Sequence, residues 1–283
     1  MAQLRDRRAF GNIGTRKFRG ARFGDPLSPR FEGLLDQYPG AAAAYSLRAL
    51  SSSWLAGDVV RARRVNTPGE ANFTAGQVAN GELATWALSG DAFVTTWYDQ
   101  SGNANNAVQA ITTAQPKIVS AGTLVAGGID FDGVDTDLSS GTLTLGATVT
   151  GYTVTNSTAK VLSSYIYSIN GTSGIVDYTD PAEFASIYAG TPLKGSTDIS
   201  GAATLKSSLF DAASSNIRVN GTSVATGNIN SGLANGTLVV GGGGATTDRM
   251  LGTINEIIIY GSDQSANSAA IEANINAEYT IYV

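Results

Sequence analysis

The stretch Val94-Thr95-Thr96-Trp97-Tyr98-Asp99-Gln100-Ser101-Gly102-Asn103-Ala104-Asn105-Asn106-Ala107 passes from a β-prone run into a cluster of turn-forming residues. β-Branched and aromatic side chains favour a half-buried pleated strand, whose period of two sends one of Trp97 and Tyr98 into a core and the other outward. Asp, Ser, Gly and Asn then end the strand, because their side chains bond to nearby backbone groups and glycine accepts a positive φ. The expectation is a turn in which Asp99 and its neighbours satisfy backbone groups and hold a sandwich together. The competing reading is a sugar platform, with an aromatic face of Trp97 or Tyr98 against a pyranose and hydrogen bonds from Asp99, Gln100 and Asn103.

The same grammar continues on either side. Ile217-Arg218-Val219-Asn220-Gly221-Thr222-Ser223-Val224 sets Asn-Gly between two β-prone runs, the strongest short hairpin signal. Leu238-Val239-Val240 before Gly241–Gly244 reads as a buried strand ending in a loop, and Ile254 to Tyr260 as a second core strand with Glu256 as its only charge. Residues 265–277 read as a closing helix with Ile271, Ile275 and Tyr279 on one face and Ser262, Asp263 or Ser265 at its start. The whole chain of 283 residues is 42% apolar and only 14% charged, against about 25% in an ordinary domain, and holds 34 glycines. Many short strands joined by tight turns produce that balance, so the fold class is all-β. Nothing within 38–283 marks a linker, which makes that span one domain.

Tyr38-Pro39-Gly40-Ala41-Ala42-Ala43-Ala44-Tyr45-Ser46-Leu47-Arg48, Val59-Val60-Arg61-Ala62-Arg63-Arg64, Asn72-Phe73-Thr74, the element at 94–107, Gln115-Pro116-Lys117-Ile118-Val119 and Ile129-Asp130-Phe131-Asp132-Gly133 follow in order. This series, from Tyr38 to about Leu138, resembles the arabinofuranosidase B catalytic-domain family and its non-enzymatic relatives. The C-terminal third resembles laminin-G-like sandwiches more generally. The resemblance implies a concanavalin-like, two-sheet jelly-roll sandwich, with an extended N-terminal arm and a short C-terminal helix at its two ends.

It also raises catalysis by a retaining mechanism, which needs a carboxylate nucleophile and a carboxylic acid about 5 Å apart. Asp99, Asp130, Asp132, Asp135, Asp137, Asp177, Asp180 and Glu183 supply the residue type. The family's enzymes also use paired cysteines in the substrate pocket and a C-terminal arabinose-binding trefoil module, and neither occurs in this sequence. With no Cys and no His there is no thiolate, no imidazole base, no Ser-His-Asp triad and no usual zinc site. The sequence expectation is a chain that is not an enzyme, with no catalytic residue and no cofactor. Asp130, Asp132, Asp135 and Asp137 are the candidate calcium ligands, although their spacing is not that of an EF-hand. Arg61, Arg63 and Arg64 read as a solvated or salt-bridged sheet face.

Residues 1–30 carry eight basic and two acidic residues, a net +6, which leaves 31–283 with 10 basic and 21 acidic, a net −11. Gly11, Gly14, Gly20, Gly24, Pro26 and Pro29 disfavour helix and strand interiors, so residues 1–37 read as an extended arm. Arg5, Arg7, Arg8, Phe10, Arg16, Lys17, Phe18, Arg19, Arg22, Phe23 and Arg30 are its candidate docking residues, Arg forks meeting carboxylates and Phe rings filling pockets. The acidic body disfavours nucleic acid as the partner. A first stretch without an apolar run, and no run long enough to span a bilayer, lead to the expectation of synthesis in a host cytoplasm without export or a membrane. Sandwiches of this type behind a short basic arm look like virion proteins of tailed bacteriophages, in the capsid decoration or in tail and fibre parts. The functional expectation is a structural virion protein docking on other virion subunits, with glycan recognition at the host surface as the alternative and an arabinofuranosidase-type hydrolase behind it. A monomer and a homo-oligomer fit equally.

Overall fold

The computed structural model describes residues 31–158, 164–179, 183–243 and 248–283. The proposed docking residues Arg5 to Arg30 lie outside them. The compact unit runs from Glu32 to Val283 and so takes in residues 32–37, which the sequence reading placed with the arm. Leu34–Gln37 form a helical turn whose Leu34 and Leu35 are buried against the C-terminal helix and the sheet beneath it.

The fold is an all-β jelly-roll sandwich built from antiparallel strands. One layer runs, in hydrogen-bonded order, Thr222–Gly227, Ser215–Val219, Thr204–Phe210, Val149–Ser157, Leu251–Tyr260 and Ala41–Ser46. The facing layer runs Pro192–Asp198, Glu183–Tyr188, Ser173–Thr179, Ser164–Ile169, Gly236–Val240 and Leu138–Leu143. It continues through Ala107–Val108 and Ala92–Trp97 to Asp58–Arg64 and Gly69–Thr74. Lys117–Ser120 and Ile129–Asp132 carry hydrogen bonds from Ala92–Trp97 back to Leu251–Tyr260, so the layers join along that side.

Alternation along the central strands produces two cores. On Val149–Ser157, Tyr152 and Val154 point away from the facing layer, and with Ile258 and Tyr260 they receive Ile271 and Ile275 of the helix Ser268–Tyr279. Val149, Ile257 and Ile259 point inward and meet Ile166, Ile169, Leu238, Val240 and Trp97 in the core between the layers. The helix begins three residues later than expected, and its N-cap is Asn267, without a side-chain cap bond. Asp263 instead closes a preceding turn by accepting from the Ser265 N–H and hydroxyl. The Asn-Gly hairpin is present: Asn220 and Gly221 both have positive φ, at 50° and 77°, which suits the twist of the strands they join.

Glu256, the single charge of the core strand, is 1% exposed and is held by Arg48 through two bonds, Nε to Oε2 at 2.8 Å and Nη2 to Oε1 at 3.0 Å. Ser46 and Tyr279 also donate to Oε2. Burial opposes the Arg48 charge, but Glu256 beside it outweighs that and keeps the guanidinium more firmly protonated than usual. A second fork, Arg218 on Glu272 at 2.8 and 3.0 Å, holds the other flank of the same helix.

Candidate functional site

The element at 94–107 occupies the free edge of the strand Ala41–Ser46, whose other edge pairs with Leu251–Tyr260. Asp99 is 1% exposed. Its Oδ1 accepts from Ala44 N at 2.8 Å and Ser101 N at 2.9 Å, and its Oδ2 accepts from Ser101 Oγ at 2.8 Å and Asn105 N at 2.9 Å. Gln100 Oε1 accepts from Leu50 N, while its Nε2 donates to the carbonyls of Ser46 and Arg48. Asn103 Nδ2 donates to the carbonyls of Ala41 and Ala42, and Asn105 Nδ2 to that of Ala42. The Tyr45 hydroxyl donates to the Asn105 carbonyl. The turn therefore replaces the missing neighbouring strand, supplying side-chain partners to an otherwise open sheet edge. Gly102 and Ala104 make the reversal possible with φ of 91° and 58°.

This geometry corrects the sugar-platform reading of Trp97 and Asp99. Trp97 is fully buried against Tyr45, with ring centroids 5.7 Å apart, and offers no face to a ligand. Asp99 has both oxygens committed to the turn. Tyr98 is half-buried, and its hydroxyl donates to Asn72 Oδ1. Asn103 lies on the rim of a different feature.

That feature is a cleft of about 600 Å³ lined by Gly40, Ala41, Ala42, Ser101, Asn103, Asn105, Thr142, Thr144, Gly261 and Ser262. Its wall is amide, hydroxyl and backbone, with no ionisable side chain and no aromatic ring. The residues come from three places far apart in the chain: the edge strand and its turn, the end of Leu138–Leu143 with the residues after it, and the loop that follows Leu251–Tyr260. Sequence reasoning reached Asn103 alone, because Thr142, Thr144 and Ser262 carry no local signal. A second cleft, about 410 Å³, is mainly apolar, and its Arg48 is already spent on Glu256 and Asn274. The first cleft is the better candidate, because several of its polar groups have no partner among the described residues.

The four aspartates do not form a cation cage, and no group of three or more carboxylate, His or Cys side chains placed to hold a metal occurs among the described residues. Asp132 Oδ1 is taken up by the N–H groups of Val134, Asp135 and Thr136 and by the Thr136 hydroxyl. Asp137 is paired with Arg249 and accepts from Gln109 Nε2 at 2.5 Å. Asp130 stands opposite Lys117 on the neighbouring strand, and partial burial raises its pKa against the opposing pull of that lysine. Asp135 is exposed. The side chains of Asp177, Asp180 and Glu183 lie outside the described part. Arg61 is paired with Glu70 at 2.9 Å, while Arg63 and Arg64 lie over the rings of Phe93 and Trp86 and donate to neutral oxygens of Gln115, Thr112, Thr67 and Trp86.

Compared with protein-family models and with curated proteins, the sequence matches none. Among solved structures, the chain is similar to a GH54 α-L-arabinofuranosidase soaked with a cyclic sulfate inhibitor, with a TM-score of 0.69 and 18% identity over 89% of this chain and 66% of that one. It is also similar to an arabinofuranosidase complexed with arabinofuranosyl-α-1,2-xylobiose, with a TM-score of 0.62 and 18% identity over 87% of this chain and 65% of that one. The chain thus spans about two thirds of the length of these enzymes, and at this identity the likeness establishes the fold. It bears out the fold family expected from the motif series, and it corrects the expectation of a chain that is not an enzyme, since the neighbours sharing this architecture are glycosidases.

Proposed function

We propose that the chain is a carbohydrate-recognising sandwich whose ligand contacts lie in the cleft beside the 99–105 turn. The observation that carries this is the lining: Asn103, Asn105, Thr142, Thr144 and Ser262 present amide and hydroxyl groups, the chemistry that exchanges hydrogen bonds with sugar hydroxyls. Without an aromatic platform the affinity for one short oligosaccharide should be weak, on the order of millimolar, equivalent to about −4 kcal/mol. Calorimetric titration of the full chain with arabino-oligosaccharides tests it. Saturable binding lost in Asn103→Ala with the fold intact supports the cleft, and binding unchanged by that variant removes it.

A second reading, hydrolysis of α-L-arabinofuranosides, is favoured by the glycosidase neighbours, one of which was soaked with 4-nitrophenyl α-L-arabinofuranoside. Release of 4-nitrophenol from that compound at high protein concentration, absent from a mock preparation, would establish it.

The biological setting is a further part of the proposal. The +6 segment 1–30 would fasten the body to other virion proteins of a tailed bacteriophage, in capsid or tail, after synthesis in the host cytoplasm. Deleting residues 1–30 should leave the sandwich folded and abolish incorporation into particles; incorporation retained at the wild-type level would sink the docking role.

A further inference from the structure

We infer that the cleft discriminates by charge, accepting neutral, hydroxyl-rich glycans and rejecting those that carry carboxylate or sulfate groups. The inference rests on the carbohydrate reading above and names the ligand class of that same site.

Asn103 Nδ2 lies 2.9 Å from the Ala41 carbonyl and 3.2 Å from that of Ala42, and Asn105 Nδ2 lies 2.9 Å from the Ala42 carbonyl. A carbonyl only accepts, so the atom facing it must be the nitrogen, and the usual ambiguity of an amide flip does not arise. Asn103 Nδ2 also reaches Ser101 Oγ at 3.2 Å, so its N–H groups are taken up, while Asn105 Nδ2 keeps one N–H, and neither Oδ1 accepts a bond among the described residues. What these side chains offer a ligand is two fixed acceptors and the second N–H of Asn105.

The remaining groups agree. Thr142 and Thr144 are exposed, and no hydrogen bond engages either hydroxyl among the described residues. Ser262 Oγ accepts from Gln264 Nε2, leaving its own proton to give. No Lys or Arg lines the cleft, so nothing there compensates an anion. The Asp99 carboxylate is buried within the turn, next to Ser101 and Asn105 of the cleft wall. Residues 31–283 carry a net −11. A neutral sugar brings hydroxyls that donate to the two Oδ1 atoms and exchange bonds with the three hydroxyl groups. A carboxylate or sulfate can accept from the three hydroxyls and the Asn105 N–H, but it cannot use the two Oδ1 acceptors and gives up its hydration with no Lys or Arg lining the cleft to oppose its charge.

The test is a calorimetric titration of the full chain at low salt with arabinotriose and galactotriose as neutral probes and trigalacturonate as the acidic one. The expected result is binding of at least one neutral probe at least tenfold more tightly than trigalacturonate. Equal or tighter binding of trigalacturonate overturns the charge discrimination while leaving a carbohydrate site standing; no binding of any probe overturns both. Thr144→Lys, an exposed position at which the fold is not at stake, adds a direct readout. Placing a cation in the cleft should narrow the neutral-to-acidic ratio by about tenfold, and a ratio unchanged from wild type would show that the acidic probe is governed elsewhere.

Discussion

Replacing Asp99 by Asn keeps the size of the side chain and removes only its charge and one acceptor. In the wild type, four donors converge on the carboxylate at 2.8–2.9 Å, and the residue is 1% exposed. If Asn Oδ1 keeps the N–H groups of Ala44 and Ser101, Nδ2 takes the place of Oδ2. The Ser101 hydroxyl can rotate to accept from it, but the Asn105 N–H then faces another donor. Leaving a buried donor unsatisfied costs about 1–3 kcal/mol, and each surviving bond falls from the charged-acceptor range of about 1.5–3 kcal/mol toward the neutral value near 1. The expected loss is about 3–5 kcal/mol, a large part of the 5–15 kcal/mol that typically separates folded from unfolded states. Urea denaturation followed by tryptophan fluorescence reads it directly, because Trp97 lies two residues away in the core. A midpoint equivalent to less than 1 kcal/mol from wild type, at unchanged m-value, would refute the role assigned to the turn.

Three further outcomes follow from the same structure. Arg48→Ala leaves Glu256 charged and buried, so stability should drop by about 3–5 kcal/mol, and hydrogen exchange should show the helix Ser268–Tyr279 opening first; equal protection of that helix would contradict the clamp. Ala104→Gly relieves a positive φ of 58° and should raise stability by about 0.5–1 kcal/mol after the entropic cost of glycine, measured by the same urea titration, while a loss would show that the turn is not strained there. Burial pushes the Tyr152 phenol up to about 12, those of Tyr45, Tyr167 and Tyr260 higher still, and that of Tyr279 well above its ordinary value. A raised folded pKa means stability fully present below about 10 and lost as pH climbs through the folded values. Absorbance at 295 nm should therefore show these phenols ionising only together with alkaline unfolding, and smooth titration of all 11 tyrosines near 10 would contradict the core.

How much of this was visible in the sequence depended on the distance to the partner. The hairpin at Asn220-Gly221 was legible because its geometry is decided by those two residues. The turn at 99–103 was legible as a turn, and strand alternation required one ring of the Trp97–Tyr98 pair to be buried. That Asp99 serves Ala44, 55 residues earlier, was not legible, since nothing local says which sheet edge lies open. The same holds for Glu256, whose partner Arg48 is 208 residues away; the strand showed a charge in a core and the structure shows what neutralises it. Four aspartates in eight residues suggested a cation, yet Asp132 is taken up by backbone N–H groups, Asp137 pairs with Arg249, Asp130 faces Lys117 and Asp135 is exposed. The cleft was hidden almost entirely, because Asn103, Thr142 and Ser262 are ordinary polar residues until three loops bring them together.

The most direct measurement is a titration of the isotopically labelled protein with arabinotriose, read by amide chemical shifts. The cleft predicts saturable shifts centred on Asn103, Asn105, Thr142, Thr144 and Ser262, with the helix Ser268–Tyr279 unmoved; shifts absent at saturating sugar, or centred on any other part of the sandwich, would contradict it.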